Sequence, residues 1–170
     1  MIRAAISGHR PEKLPDKQFV RQALSDVFLM LGPEEITQGC AAGVDLISAR
    51  VAWIHGLPYR AAKPWGNHKA RMGGSSGFKI SDAEAYDWMI ENATEVINVT
   101  GIDDYPGPWA YFRRNHWMVD NTDFVIAVWD GSKSGTSETV EYAQAQGKKV
   151  YRIDPVTQRM GWYGSKTIPL

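Results

Sequence analysis

The sequence predicts an α/β protein of the Rossmann-like class: an open, mostly parallel sheet of about six strands with helices on both faces. Three observations carry that expectation. Short apolar runs of strand length alternate along the chain with longer stretches of helical periodicity. The run "FVIAV" at 124–128 is continuously apolar, as expected of a parallel strand covered on both faces. Glycine-bearing loops follow the first, second and fifth strands, and in such sheets ligands sit beyond the strands' carboxyl ends, where the strand order reverses.

The elements follow in order. "IRAAIS" (2–7) is the first strand and ends at Gly8. From Pro15 to Leu31 apolar residues fall at Phe19, Val20, Ala23, Leu24, Val27, Phe28 and Leu31, a helical spacing stopped by Gly32-Pro33. "EEITQG" (34–39) is the second strand, "GVDLISARVAWIHG" (43–56) a helix, and 58–64 the third strand. Residues 65–79 lack periodicity and are expected to form a mobile loop, after which Ser81 would cap a helix in "DAEAYDWMIENA". "EVINV" (95–99) is a fourth strand, and a further helix runs to about Asn121. The strand at 123–129 and a helix from about Thr136 to Gln146 come next, and "KKVYRID" (148–154) is the last expected strand. The length of 170 residues suits one domain, 1–170, with its core in 2–153 and no assignment for the tail 155–170.

Composition narrows the function. Nineteen basic residues balance nineteen acidic ones, so nucleic acid is an unlikely partner on bulk charge, although a local patch is compatible with neutrality. Cys40 is the sole cysteine, so no internal disulfide forms and a reducing cytoplasm is expected. The apolar run at the N-terminus is too short for a signal peptide or a membrane span. His9, His55, His68 and His116 lack metal-ligand spacing, so neither a metal nor another cofactor is expected.

Three loops carry the candidate site. In "SGHRPEKL" (7–14), Gly8 permits close backbone approach, His9 donates or accepts, and Arg10 offers a fork for a phosphate or carboxylate; a plain turn with Arg10 in a salt bridge is the competing reading. In "GCAAGVD" (39–45), Gly39 and Gly43 flank a helix start whose free N–H groups suit an anion. Asp45 either caps that helix or accepts from a ribose hydroxyl. Cys40 beside a helix start is either a reactive thiol or simply a small residue. In "WDGSKSGTSE" (129–138), Asp130 and Gly131 turn the chain out of the sheet, and Lys133, Ser134, Gly135 and Thr136 bring donors to another helix start. Neither a Walker loop nor Gly-x-Gly-x-x-Gly is present. "YFRRNHWMVDN" (111–121) adds Arg114, Asn115 and Asp120, against the alternative of a solvated helix face. One of Trp65, Trp109 and Trp129 would be placed to stack on a base, unless all three pack in the core or at its rim.

Taken in this order, "SGHRPEKL", "GCAAGVDLISARVA" and "RNHWMVDNTDFVIAVWDGSKSGTSETVEYAQAQGK" resemble the YoqJ-like family of the SLOG superfamily. That superfamily also holds the core of DNA-processing protein A and the "lonely guy" phosphoribohydrolases. The match spans residues 2–153, is weak over 63–110, and leaves "RMGGSSGF" as an insertion. The resemblance implies a nucleotide or nucleotide-derived ligand of the nicotinamide or ADP-ribose type, sensed or sequestered by a bacterial or phage protein, and a homo-oligomer. It also offers two alternatives: an N-glycosidase or phosphoribohydrolase, with Glu138, Asp45 and Arg114 as its catalytic group, or a DNA-handling module. Against the phosphoribohydrolase signature Pro-Gly-Gly-x-Gly-Thr-x-x-Glu, Gly135-Thr136 fall on Gly-Thr and Arg114-Asn115 on the upstream Arg-Lys. The glutamate position holds Thr139, and Glu138 lies one residue short, about 100° around a helix.

Overall fold

The computed structural model describes residues 1–71, 78–79 and 82–164. Its strands are β1 (Arg3–Gly8), β2 (Glu35–Gln38), β3 (Tyr59–Lys63), β4 (Glu95–Asn98), β5 (Phe124–Val128), β6 (Val150–Ile153) and β7 (Met160–Trp162). Its α-helices are α1 (Lys17–Leu31), α2 (Val44–Ile54), α3 (Ala83–Glu91), α4 (Trp109–Asp120) and α5 (Gly135–Ala145). Among the described residues the strands form one sheet in the order β4-β3-β2-β1-β5-β6-β7. All pairs are parallel except β6 with β7. The chain lays down β1 to β4 in one direction and then returns to place β5 beside β1, in the register Ala4↔Phe124 to Gly8↔Val128. The order therefore reverses between β1 and β5, which makes their carboxyl ends the place for a ligand.

Alternation along the strands sorts the core into two layers. Ala4, Ile6, Ile126 and Val128 face α1, α2 and α3. Ala5, Val125 and Ala127 face α4 and α5 through Met118, Val119, Val140 and Ala143. Full burial of side chains such as Leu24 and Ile126 contributes roughly 2 kcal/mol each. Asp16 caps α1 by accepting from the Phe19 amide at 3.0 Å, and Gly32 ends it in the left-handed conformation at φ 62°.

The structure adds two features to these expectations. The sheet has seven strands rather than about six, because residues 160–162 of the unassigned tail return antiparallel to β6. A three-residue strand is too short to show periodicity in a sequence. The expected loop at 65–79 contains a 3-10 helix, His68–Arg71, whose partners are distant in sequence. Ser81, expected to cap α3, lies outside the described residues, as does most of the presumed insertion.

Candidate functional site

The three loops converge above β1, β2 and β5. Gly8 ends β1 against the start of α2: a Cβ there would lie 2.6 Å from the Val44 side chain. The His9 carbonyl accepts the Val44 amide at 3.2 Å. Gly43, at φ 82°, is held so close that a Cβ would lie 2.5 Å from the His9 oxygen. Only glycine fits there, on both steric and dihedral grounds. The buried His9 ring places Nε2 2.9 Å from Asp130 Oδ1, tying the β1 loop to the β5 loop. The Ser132 hydroxyl and amide donate to Asp130 at 2.5 and 2.9 Å and, with His9, hold its carboxyl well below the usual range.

Together these loops and the first turns of α4 bound a cleft of about 430 Å³. Of the expected ligand-binding residues, Gly8, His9, Arg10, Gly39, Asp45, Arg114, Asn115, Ser134, Gly135 and Thr136 line it. Gly43, Asp130 and Gly131 support its walls from outside. Asp120 sits at the far end of α4, where its Oδ1 accepts from the Tyr142 hydroxyl at 2.8 Å. Glu138 faces away from the cleft and pairs through Oε1 with His116 Nε2 on α4. The His116 ring stacks on Tyr142, with centroids 3.7 Å apart. Thr139, one residue on, lines the cleft, and its hydroxyl donates to the Gly135 carbonyl at 3.0 Å.

The two helix starts in the cleft differ. At α5, Ser134 and Ser137 form a reciprocal cap: Ser137 N donates to Ser134 Oγ at 3.3 Å, and Ser134 N to Ser137 Oγ at 2.7 Å. That leaves the amides of Gly135 and Thr136 without a partner among the described residues, at the positive end of the helix. A Cβ on Gly135 would meet nothing within 4 Å, so the space before these amides is open.

At α2 the anion is already supplied by the chain. Asp45 Oδ2 accepts the Ala41 amide at 3.1 Å, and the Gly39 amide also serves the carboxylate. Arg114 reaches across from α4, its Nη1 donating to the Gly39 carbonyl and its Nε to Asn115 Oδ1 at 2.9 Å. Burial pushes the Asp45 carboxyl up to about 6, against the pull of Arg114 and the two amides. The Gly39–Asp45 loop thus presents a buried carboxylate and a buried guanidinium to the cleft. Burial also pushes the Cys40 thiol up to about 12, which leaves it a small packed residue rather than a nucleophile.

Sequence reasoning missed several lining residues: Glu12 and Lys13, which follow Arg10, and Pro108, Tyr111 and Phe112 on the first turns of α4. Their signal was an aromatic pair immediately before Arg113-Arg114. None of the three tryptophans singled out lines the cleft. Trp65 and Trp129 are buried, and exposed Trp109 packs under the Arg113 guanidinium.

No family model matches the chain. It is 37% identical over 91 residues to the uncharacterized SPbeta prophage-derived protein YoqJ of Bacillus subtilis, covering 45% of this chain and 53% of that protein. The match therefore spans about half the length of that curated relative. Among solved structures, DNA processing protein A from Streptococcus pneumoniae superposes with a TM-score of 0.70 at 19% identity, over 91% of this chain and 50% of that one. The same protein from Helicobacter pylori, described in its single-stranded DNA binding mode, superposes at 0.63 with 20% identity, over 90% of this chain and 65% of that one. The resemblance to YoqJ and the Rossmann-like fold stand on these likenesses. The expectation that nucleic acid is an unlikely partner does not: the fold is shared with a protein that binds single-stranded DNA. Net charge is a sum over the whole surface and does not report the local field of a cleft. Among the described residues no helix is long and apolar enough to cross a membrane.

Proposed function

We propose that the cleft binds a nucleotide-derived small molecule, with a phosphate at the start of α5 and a ribose beside Asp45. The observation that carries this reading is the pair of unpartnered amides of Gly135 and Thr136, which open onto the same space as Arg10, Lys13 and Arg114. Free amides at a helix start with cations opposite them suit a phosphate dianion. The Asp45 carboxylate suits a hydroxyl donor. The test is isothermal titration calorimetry with ribose 5-phosphate, AMP and ADP-ribose, supported by thermal shift, since a ligand that binds only the folded chain raises Tm. Absence of heat and of any shift at millimolar ligand would overturn the reading.

One observation favours hydrolysis as a second reading. Glu138 is outside the cleft, but Asp45 lies in it and holds a proton more tightly than an ordinary aspartate. In that reading water adds to the ribose C1′ as the bond to the base breaks, and the departing base takes a proton. Chromatography of AMP incubations decides it: free adenine should appear, be lost in Asp45→Asn and persist in Glu138→Gln. The likeness to a single-stranded-DNA-binding protein makes a low-salt gel shift with single-stranded DNA the companion measurement.

A further inference from the structure

Two bonds between α4 and α5 fix how the helices lie against each other. His116 on α4 pairs through Nε2 with Glu138 on α5. One turn further along each helix, the Tyr142 hydroxyl donates to Asp120 Oδ1 at 2.8 Å. Both bonds join residues 22 positions apart, so the helices are parallel and meet in rungs one turn apart. One turn back, the same register sets Phe112 level with Ser134, the N-cap of α5. The first two rungs are closed by their bonds. At the third, Phe112 and Ser134 both line the cleft. Packed helices stand about 8–10 Å apart, so the Phe112 ring shares the space in front of the Gly135 and Thr136 amides.

α4 brings two rows of side chains to the cleft. Tyr111, Arg114 and Met118 form one row, and Pro108, Phe112 and Asn115 the other, each at the spacing of a single helix stripe. The first row is turned inward: Arg114 and Met118 are buried, and the Tyr111 ring packs on Trp65 at 5.3 Å. The second row stands at the mouth, where Phe112 is 47% exposed. The other aromatic side chains of α4 are engaged. Trp109 lies under the Arg113 guanidinium and donates from Nε1 to the Pro106 carbonyl at 3.0 Å, and Trp117 carries the Arg60 guanidinium. Phe112 meets neither a ring nor a cation among the described residues. Apolar side chains exposed singly are ordinary on a protein surface. What sets Phe112 apart is its place: it is the one exposed aromatic ring among the described residues of the cleft lining, and it stands level with the phosphate seat.

We propose that Phe112 is the base platform of the cleft: a nucleobase stacks its flat face on this ring while the phosphate of the same nucleotide sits at the α5 start. The inference rests on the ligand reading above and adds the class of ligand, a nucleotide that keeps its base rather than a plain sugar phosphate. Phe112 takes the place that the sequence offered to one of three tryptophans. Stacking reads a face and not an edge, so purines, with the larger face, are preferred over pyrimidines.

The test is calorimetry with AMP, CMP and ribose 5-phosphate on wild type, Phe112→Ala, Phe112→Leu and Phe112→Trp. Phe112 stands outside the buried core, so each variant should keep Tm within about 2 °C of wild type. Phe112→Ala should weaken AMP about tenfold, CMP less, and ribose 5-phosphate by less than about twofold. Phe112→Trp should keep AMP affinity or raise it. Equal losses for AMP and ribose 5-phosphate would place the ring against the sugar and overturn the proposal. Full recovery of AMP affinity in Phe112→Leu would reduce the ring to an apolar shelf and overturn stacking. If ribose 5-phosphate binds wild type and no variant changes AMP, the platform fails alone. If nothing binds wild type, the ligand reading fails and the platform with it.

Discussion

The starts of α2 and α5 are built from similar sequence, glycine among small residues after a parallel strand, and they reach opposite ends. The α2 start is closed. Gly43 is wedged against the His9 carbonyl, and Asp45 uses the loop amides for its own carboxylate. The α5 start is open: two serines cap each other, Gly135 faces empty space, and two amides keep their donors. Glycine near a helix start therefore marks close packing in one place and room for a ligand in the other. What separates them is whether the chain brings its own anion.

Gly43→Ala is the strongest test of the closed end: its methyl would collide with backbone at a positive φ, and a loss of about 3 kcal/mol is expected. Arg114 comes next. Arg114→Met removes the buried donor to the Gly39 carbonyl and a positive charge acting on Asp45, and should cost about 1–3 kcal/mol in denaturant unfolding. A loss under about 0.5 kcal/mol would mean that this bond is dispensable. Asp45 gives a pH signature. Its folded carboxyl is raised from 3.8 to about 6, so the folded state binds a proton that the unfolded chain has released. Stability from this group is present below about pH 4 and is lost as pH rises to about 6, by up to roughly 3 kcal/mol. Asp45→Asn should remove that slope from a series of unfolding curves between pH 4 and 7; an unchanged slope would assign the titration elsewhere. The smallest effect belongs to the open end. Gly135→Ala should stabilise the protein by about 0.5 kcal/mol, because alanine is the better helix former and meets nothing. The same methyl should weaken ribose 5-phosphate, so a stabler protein with unchanged affinity would move the phosphate seat away from α5.

The layering was legible because parallel strands and amphipathic helices write their period into the chain. The continuous apolar run of β5 and the helical spacing before Gly32 are read directly. Gly8 and Gly43 were legible as points of close approach, and the displacement of Glu138 followed from helical geometry. Cys40 was not: it adopts φ 64° between Gly39 and Ala41, and nothing in its side chain advertises a left-handed turn. Asp45 was visible as a carboxylate near a helix start, but its two amide donors and Arg114 come from a loop and a helix whose distances no spacing rule supplies. The level of Phe112 against the α5 start was hidden for the same reason: two helices acquire a common register only by packing.

The bond from His9 to Asp130 joins positions 121 residues apart, and beside it β1 lies along β5. The two halves of the cleft are therefore strangers along the polypeptide. A fragment ending before β5 lacks the α5 start with its amides, and one starting after β1 lacks the strand on which β5 docks. Closing so long a loop is entropically expensive, and pairings of this kind slow folding. Binding competence should accordingly arrive late, with the docking of β5 on β1, because a ligand present during refolding lacks the amides at the α5 start until that step is complete.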